Sequence, residues 1–231
     1  MYSGVHCPFP HPVHLHLLVL VMSLLLIILC ILRQALSCPC VGIECAKELV
    51  DNCTSMHELA LCYLRRLPQF FNHAGHVRFV GYSFGSRLAF HMACILEQRG
   101  QHVLLVLVDG PCGPDASNPP RLNGQAGSIA EVLREPNTQH QVHALGATLV
   151  EMPDSCHIQK VYSTTLYISC SDSAVTGNGT LLNALDLLQN PNKLTIQGDH
   201  FGLMSQAAVG VEIAAAISVF FENKCLSYHR S

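Results

Sequence analysis

The chain has 231 residues, of which 49% are hydrophobic and 13% are charged, and its formal net charge is −3. This length suffices for one domain with a substantial core, and so few charged residues require that much of the chain is buried. A weakly negative chain without a basic stripe and interleaved aromatic residues is not expected to bind nucleic acid.

The N-terminal residues 1–35 differ in composition from the rest and are predicted to lie outside the domain. Residues 1–16 hold several histidines among prolines, namely His6, His11, His14 and His16. Nothing nearby completes a metal site, so an unstructured leader is the preferred interpretation of this tract.

The aliphatic run from Leu17 to Leu32 follows, broken only by Ser23. Its length is at the lower limit for a bilayer span. Three interpretations stay open: the core of a signal peptide, a short membrane anchor, or sequence foreign to the domain. Glycosylation sequons at Asn52 and Asn178 would agree with secretion, but such triplets also occur by chance.

Twelve cysteines are distributed along the chain. Many lie in apolar runs, which favours buried free thiols over a disulfide framework. The Cys-Pro-Cys sequence at 38–40, with Cys45, is only loosely similar to metal-ligand spacing and has no matching pair downstream. We therefore expect no metal.

The first elements of the predicted domain are a strand over 40–45 and a helix from Ser55 to Leu67. Apolar residues recur along this helix at helical spacing. Thr54 or Ser55 is a plausible N-cap, and Glu58 stands three residues after Ser55 as in a capping box.

A Gly-Tyr-Ser-Phe-Gly sequence at 81–85 connects a short apolar strand to a helix that runs to about Gln98. This is the context of the nucleophile elbow of α/β-hydrolases, in which a sharp turn exposes the serine hydroxyl. Ser83 is the candidate nucleophile. The backbone N–H of Phe84, at the helix N-terminus, is a candidate oxyanion donor.

The run from Val103 to Val108 is continuously apolar, as in a parallel strand buried on both faces. Residues 112–157 are rich in proline and glycine and are predicted to form a lid. Strand signals return at 162–169 and 193–196, with a short helix over 181–188 between them and a closing apolar helix over 203–221. This alternation predicts the α/β class, with a mostly parallel, doubly wound sheet and a short lid insertion.

A serine nucleophile needs a base and a third group that orients the base. His200 lies in a loop between the last strand and the last helix and is the candidate base; His91 and His102 are interpreted as surface or packing residues. Two acids can reach the crevice, Asp109 and Asp172, and the residues alone do not decide between them. Asp199 is interpreted as a loop residue.

The sequences at 81–85, 107–110 (Leu-Val-Asp-Gly) and 198–200 (Gly-Asp-His) together resemble the thioesterase domain of animal fatty acid synthases. The resemblance covers roughly 36–110 and 160–222. It implies an α/β-hydrolase that releases a long-chain acyl group from the phosphopantetheine of an acyl carrier protein, without metal or dissociable cofactor. The implied partner is that carrier protein or the synthase, and the implied location is the cytoplasm.

The resemblance also assigns the catalytic acid, because in that family the acid follows the strand after the elbow helix. This favours Asp109 over Asp172, so the predicted site is Ser83, Asp109 and His200. A catalytic serine with that order of acid and base also occurs in carboxylesterases and lipases. A secreted or membrane-bound serine carboxylesterase, which would use Asp172, is therefore one alternative.

One departure from the family pattern motivates a second alternative. The first strand, and the loop that supplies the second oxyanion donor, should lie just before residue 36, where the aliphatic run stands instead. We therefore expect this strand to be missing, which would leave an unpaired sheet edge and a truncated, non-catalytic thioesterase. The predicted lid is also shorter than that of the family, which leaves the acyl chain length open.

Overall fold

The computed structural model describes residues 17–21, 40–44, 46–68, 76–110, 152–154, 160–172, 185–200 and 206–228. The strands are β1 (Leu17–Val21), β2 (Cys40–Glu44), β3 (Val77–Tyr82), β4 (Val103–Val108), β5 (Thr164–Cys170) and β6 (Asn192–Ile196). The helices are α1 (Lys47–Asp51), α2 (Met56–Arg66), α3 (Phe84–Gln98) and α4 (Ala207–Tyr228).

These strands form one sheet in the order β2-β1-β3-β4-β5-β6, and every neighbouring pair is parallel. The chain goes from β1 outward to β2 and then returns to β3 on the other side of β1. The strand order therefore reverses beside β3, which is the switch point where open α/β sheets bind ligands. The predicted α/β class with a parallel, doubly wound sheet is confirmed.

The position of β1 corrects the expectation that the first strand is missing. Leu17 pairs with Cys40 of β2 on one side and with Arg78 of β3 on the other, so β1 lies inside the sheet. The aliphatic run supplies this strand because an interior parallel strand needs apolar side chains on both faces. The sheet thus includes five residues of the 1–35 segment that was predicted to lie outside the domain, and β2 is the edge strand on this side.

Other predictions for this region fall outside the described residues, namely those for 1–16 and for the remainder of the aliphatic run. None of the helices in the described ranges is both long enough and apolar enough to cross a membrane.

Two hydrophobic layers cover the sheet. Alternate residues of β4 point to opposite faces, so Leu105 and Leu107 pack with α2 and α3, whereas Val106 and Val108 pack with α4. On the second face, the buried hydrophobic side chains of α4 are Ile213, Ala214, Ile217, Phe220 and Phe221. The same alternation in β3 places Tyr82 on the α4 side.

The predicted helix at 55–67 is present as α2 with Ser55 as its N-cap, and Glu58 bonds back to Thr54, one residue before the position of a standard capping box. The Ser55 hydroxyl accepts a hydrogen bond from the Glu58 N–H at 3.2 Å. The Glu58 carboxylate accepts bonds from the Thr54 N–H and hydroxyl at 2.8 and 2.7 Å, which lower the pKa of Glu58. The N-terminus of α2 is therefore held partly by its own sequence and partly by the 152–154 segment, since the Met56 N–H donates to the Pro153 carbonyl at 3.0 Å.

The closing helix is displaced toward the C-terminus relative to its predicted range, since α4 spans Ala207–Tyr228. The predicted strands at 162–169 and 193–196 correspond to β5 and β6 within two residues. Most of the predicted lid at 112–157 and half of the predicted helix at 181–188 lie outside the described residues.

One short described segment within the predicted lid range, 152–154, is held on α3 by a buried charged cluster. Arg87 donates to the Asp154 carboxylate at 2.9 Å and to the Met152 carbonyl at 2.6 Å. His91 Nε2 contacts the same Asp154 oxygen at 2.9 Å. A surface or a packing role was predicted for His91 and His102. His91 is buried and therefore has a packing role, whereas His102 is exposed at the surface.

Candidate active site

The turn between β3 and α3 holds Ser83 in a strained conformation, with φ 53° and ψ −124°. The Ser83 N–H donates to the Val108 carbonyl at 2.9 Å, which fixes the turn against β4. Two glycines make the close approach possible, because a Cβ on Gly81 would overlap the Gly85 carbonyl and a Cβ on Gly110 would overlap the Ser83 carbonyl. This geometry is that of a nucleophile elbow.

The three predicted site residues lie in one hydrogen-bonded chain. His200 Nε2 is 2.9 Å from Ser83 Oγ, and His200 Nδ1 is 2.7 Å from Asp109 Oδ2. Ser83 is partly exposed, whereas Asp109 is fully buried. The arrangement can transfer a proton from the serine hydroxyl to the imidazole while a carboxylate orients that ring.

Asp109 follows β4 directly and has a positive φ of 42°. Its N–H donates to the Ile168 carbonyl at 2.7 Å, and its Oδ1 accepts from the Cys170 N–H at 3.0 Å. One carboxylate oxygen is therefore held by β5 while the other faces His200. A buried charge needs such partners to offset its lost hydration.

The competing acids take other positions. Asp172 is exposed, and its backbone N–H donates to the Gly198 carbonyl at 3.0 Å. Its carboxylate makes no hydrogen bond or ion pair within the described ranges. Asp199 precedes the histidine, but the Nδ1 position is occupied by Asp109. Of the two acids that the residues alone left open, Asp109 is therefore the one whose carboxylate contacts His200.

Two residues at the site were not singled out from the sequence, Tyr82 and Cys170. The Tyr82 hydroxyl donates to the His200 carbonyl, and its ring stacks on the imidazole with centroids 5.0 Å apart. Burial, and secondarily Asp109, raise the pKa of the Cys170 thiol to about 12. Tyr82 immediately precedes Ser83 in the elbow. Cys170 ends β5, the strand beside β4, and its N–H donates to Asp109.

The candidate oxyanion donor, the N–H of Phe84, belongs to the first residue of α3. The first N–H groups of a helix have no acceptor within the helix, so they are available to an anion. Leu20 of β1 pairs with Gly81, and β1 therefore ends beside the elbow at Val21. The backbone that follows Val21 lies outside the described residues, including the segment just before residue 36 where the second donor was expected to be missing.

Within the described ranges, no cluster of three or more His, Cys, Asp or Glu side chains could hold a metal ion. The Cys-Pro-Cys tract falls largely outside those ranges.

The family model described as Thioesterase domain matches residues 32–165, more than half of the chain. The chain belongs to the thioesterase domain family. The match includes Ser83 and Asp109, whereas β1 and His200 come from sequence outside it. No curated protein matches this thioesterase in sequence.

Solved thioesterase structures share its fold. The NocB thioesterase domain from the nocardicin cluster is 15% identical with a TM-score of 0.65, and the alignment covers 88% of this chain and 93% of that one. RedJ from the prodiginine pathway of Streptomyces coelicolor is 15% identical with a TM-score of 0.64, covering 95% and 91%. BorB, a type II thioesterase from the borrelidin cluster, is 17% identical with a TM-score of 0.66, covering 91% and 92%.

Family membership confirms the predicted enzyme class, a thioester hydrolase, and the predicted α/β-hydrolase fold. The predicted thioesterase membership is thereby confirmed, and the animal fatty acid synthase type stays a prediction. Family membership identifies the reaction class of this thioesterase and not its acyl substrate.

Proposed function

We propose that this thioesterase hydrolyses an acyl thioester carried on the phosphopantetheine arm of an acyl carrier protein, with Ser83, His200 and Asp109 as its catalytic residues. The observation that carries the proposal is the continuous hydrogen-bonded chain from Asp109 through His200 to the strained Ser83. Three such groups in this order can activate a serine for acyl transfer.

In the proposed mechanism, Ser83 Oγ attacks the thioester carbonyl while His200 Nε2 takes the hydroxyl proton. Asp109 keeps the proton of His200 on Nδ1 and stabilises the imidazolium. The Phe84 N–H donates to the oxyanion. His200 then gives its proton to the departing pantetheine thiol, and a water activated by the same imidazole hydrolyses the acyl-enzyme, which regenerates Ser83 and releases the carboxylic acid.

Carrier-bound substrates are supported by the structural relatives. YbtT is a type II thioesterase from the yersiniabactin NRPS/PKS pathway, and another relative is part of a four-domain nonribosomal peptide synthetase. Both belong to systems that carry acyl groups as thioesters. For this chain we propose a long-chain fatty acyl group, an acyl carrier protein or fatty acid synthase as partner, a cytoplasmic location, and no metal or dissociable cofactor.

The two alternatives have less support. The truncated, non-catalytic form was motivated by the missing first strand, and β1 occupies that place in the sheet. The carboxylesterase alternative requires Asp172, whose carboxylate is exposed and does not contact His200.

The test is thiol release from a long-chain acyl-pantetheine thioester by the wild type, Ser83→Ala, His200→Ala and the control His102→Ala, an exposed histidine. We expect both site variants to lower kcat by on the order of 10⁴-fold or more. The control should keep wild-type kcat because His102 lies at the opposite, N-terminal end of β4.

Two outcomes would contradict the proposal. If the folded wild type releases no thiol but hydrolyses the matched oxygen ester, the carrier-thioester substrate is wrong. If His102→Ala loses as much activity as His200→Ala, the assignment of the base is wrong.

A further inference from the structure

Tyr82 contacts the candidate base twice, through two different groups. It is the last residue of β3 and immediately precedes Ser83, yet its side chain lies on the α4 side of the sheet. Its hydroxyl donates to the backbone carbonyl of His200. Its ring is nearly parallel to the imidazole, with an interplanar angle of 17° and centroids 5.0 Å apart.

These two contacts hold the backbone of His200 and the plane of its imidazole, which the hydrogen bond to Asp109 alone does not do. The Nδ1–Asp109 bond fixes the tautomer of His200, and the Nδ1 and Nε2 hydrogen bonds are made at the edge of the ring, whereas the Tyr82 ring packs against its face. His200 is on a loop, so its backbone also needs a fixed position. Part of that loop is attached to the end of β5, since the Gly198 N–H donates to Ser171 Oγ at 3.1 Å.

We propose that Tyr82 is a positioning residue for His200: its hydroxyl fixes the backbone of the base, and its ring fixes the imidazole plane that directs Nε2 at Ser83. The proposal rests on the proposed function, because it assigns Tyr82 a role in that same reaction. The proposal also predicts that the Tyr82 ring stabilises the protonated form of His200, since the face of an aromatic ring attracts a cation within about 6 Å of its centroid. The imidazole becomes such a cation when it takes the serine proton.

The hydroxyl is suited to a constant role as donor. Burial, and secondarily the nearby Asp109, raise the pKa of Tyr82 well above its ordinary value. The phenol therefore stays protonated and donates its hydrogen bond throughout the pH range of an assay.

The competing explanation is that Tyr82 only fills the core, where it packs on the α4 side with Val80 and Val108. The control is Tyr63, another buried tyrosine, whose hydroxyl accepts the Ala46 N–H at 3.0 Å beside α2. Tyr63→Phe also removes a hydrogen bond between a tyrosine hydroxyl and the backbone, here a partly buried bond in which the hydroxyl accepts, on the opposite face of the sheet from Tyr82.

The experiment compares Tyr82→Phe, Tyr82→Leu and Tyr63→Phe for kcat, KM and thermal midpoint. The phenylalanine variant keeps the ring and loses the hydroxyl, so we expect kcat to fall about five-fold with unchanged KM. The leucine variant loses both contacts, so we expect a fall of about 50-fold. Tyr63→Phe should lower the thermal midpoint but leave kcat unchanged.

A second measurement is the downfield proton NMR resonance of the His200 Nδ1–H, which is hydrogen-bonded to Asp109. We expect this resonance to shift or broaden in Tyr82→Phe and to disappear in Tyr82→Leu, and to be unchanged in Tyr63→Phe. If the leucine variant does not fold, the phenylalanine variant decides by the same two measurements.

The proposal is overturned if both Tyr82 variants keep wild-type kcat and an unchanged resonance while losing only thermal stability, as Tyr63→Phe does. Failure of the proposed function is distinguishable from this result. In that case the wild type itself releases no thiol, and the NMR resonance alone then decides whether Tyr82 positions the imidazole.

Discussion

At the scale of single residues, Asp109 shows a conflict between stability and function. A carboxylate with no exposed surface loses its hydration, and the Cys170 N–H and the His200 ring contribute to offsetting that loss. A core built for stability alone would favour an apolar side chain at this position. The retained acid therefore agrees with a catalytic role.

Replacing this acid with its amide tests that role. Asp109→Asn keeps the shape but offers an N–H to His200 Nδ1 in place of an acceptor, or favours the wrong imidazole tautomer. We expect kcat for the acyl-pantetheine thioester to fall by roughly 10³- to 10⁴-fold. Asp172→Asn, the matched control at the exposed acid, should keep wild-type kcat; equal losses in both variants would contradict the assignment.

Sequence reasoning reaches some of these residues and not others. Ser83 could be predicted because its motif is local, and His200 because its place after the last strand is set by chain order. The choice between Asp109 and Asp172 required a family resemblance, since both follow strands that end at one edge. Tyr82 was missed because its partner His200 lies 118 positions away, a contact that a single sequence does not reveal.

At the scale of elements, β1 shows why a buried strand is misassigned. An interior parallel strand and a membrane segment are both continuously apolar, and length is the main guide between them. The aliphatic run from Leu17 to Leu32 is longer than a strand, so its length favoured a segment outside the domain. Within the described part of this run, Leu17–Val21 forms the strand.

Val19 lies at the centre of this strand, paired with Gly42 on one side and Val80 on the other. Val19→Pro removes a backbone donor from an interior strand, which a sheet does not tolerate. We expect loss of the cooperative urea transition or of soluble protein. Val19→Ile, a β-branched replacement, should keep the transition.

The outcome that contradicts this placement is a proline variant with wild-type stability. Residues 17–21 would then not belong to the sheet, and the expectation of a missing first strand would be restored.

At the scale of the whole molecule, the sheet must be covered on both faces, and the two covers come from different parts of the chain. The helices α2 and α3 cover one face, and α3 begins at the elbow, whereas α4 covers the other face and follows His200. The alternation of strands and helices predicted this doubly wound architecture. It did not predict the place of β1, because strand order depends on pairing between distant segments.

The packing of α4 against the sheet allows a prediction of how much this helix contributes to the stability of the whole fold. Phe221 is 2% exposed and lies under the Arg78 guanidinium, 5.1 Å from the ring centroid, whereas Val219 on the same helix is 56% exposed. Phe221→Ala leaves a cavity between α4 and the sheet and removes the aromatic face beside a buried cation. We expect the free energy of unfolding in urea to fall by about 3–5 kcal/mol.

Val219→Ala is the matched control, since it shortens an outward side chain of the same helix and should change the free energy of unfolding by about 0.5 kcal/mol or less. Equal effects of the two substitutions would contradict the orientation of α4. His200 precedes α4, and Tyr82 packs beneath it. We therefore expect Phe221→Ala to lower kcat as well as stability. A variant that is destabilised but keeps wild-type kcat would show that α4 covers the sheet without supporting the site.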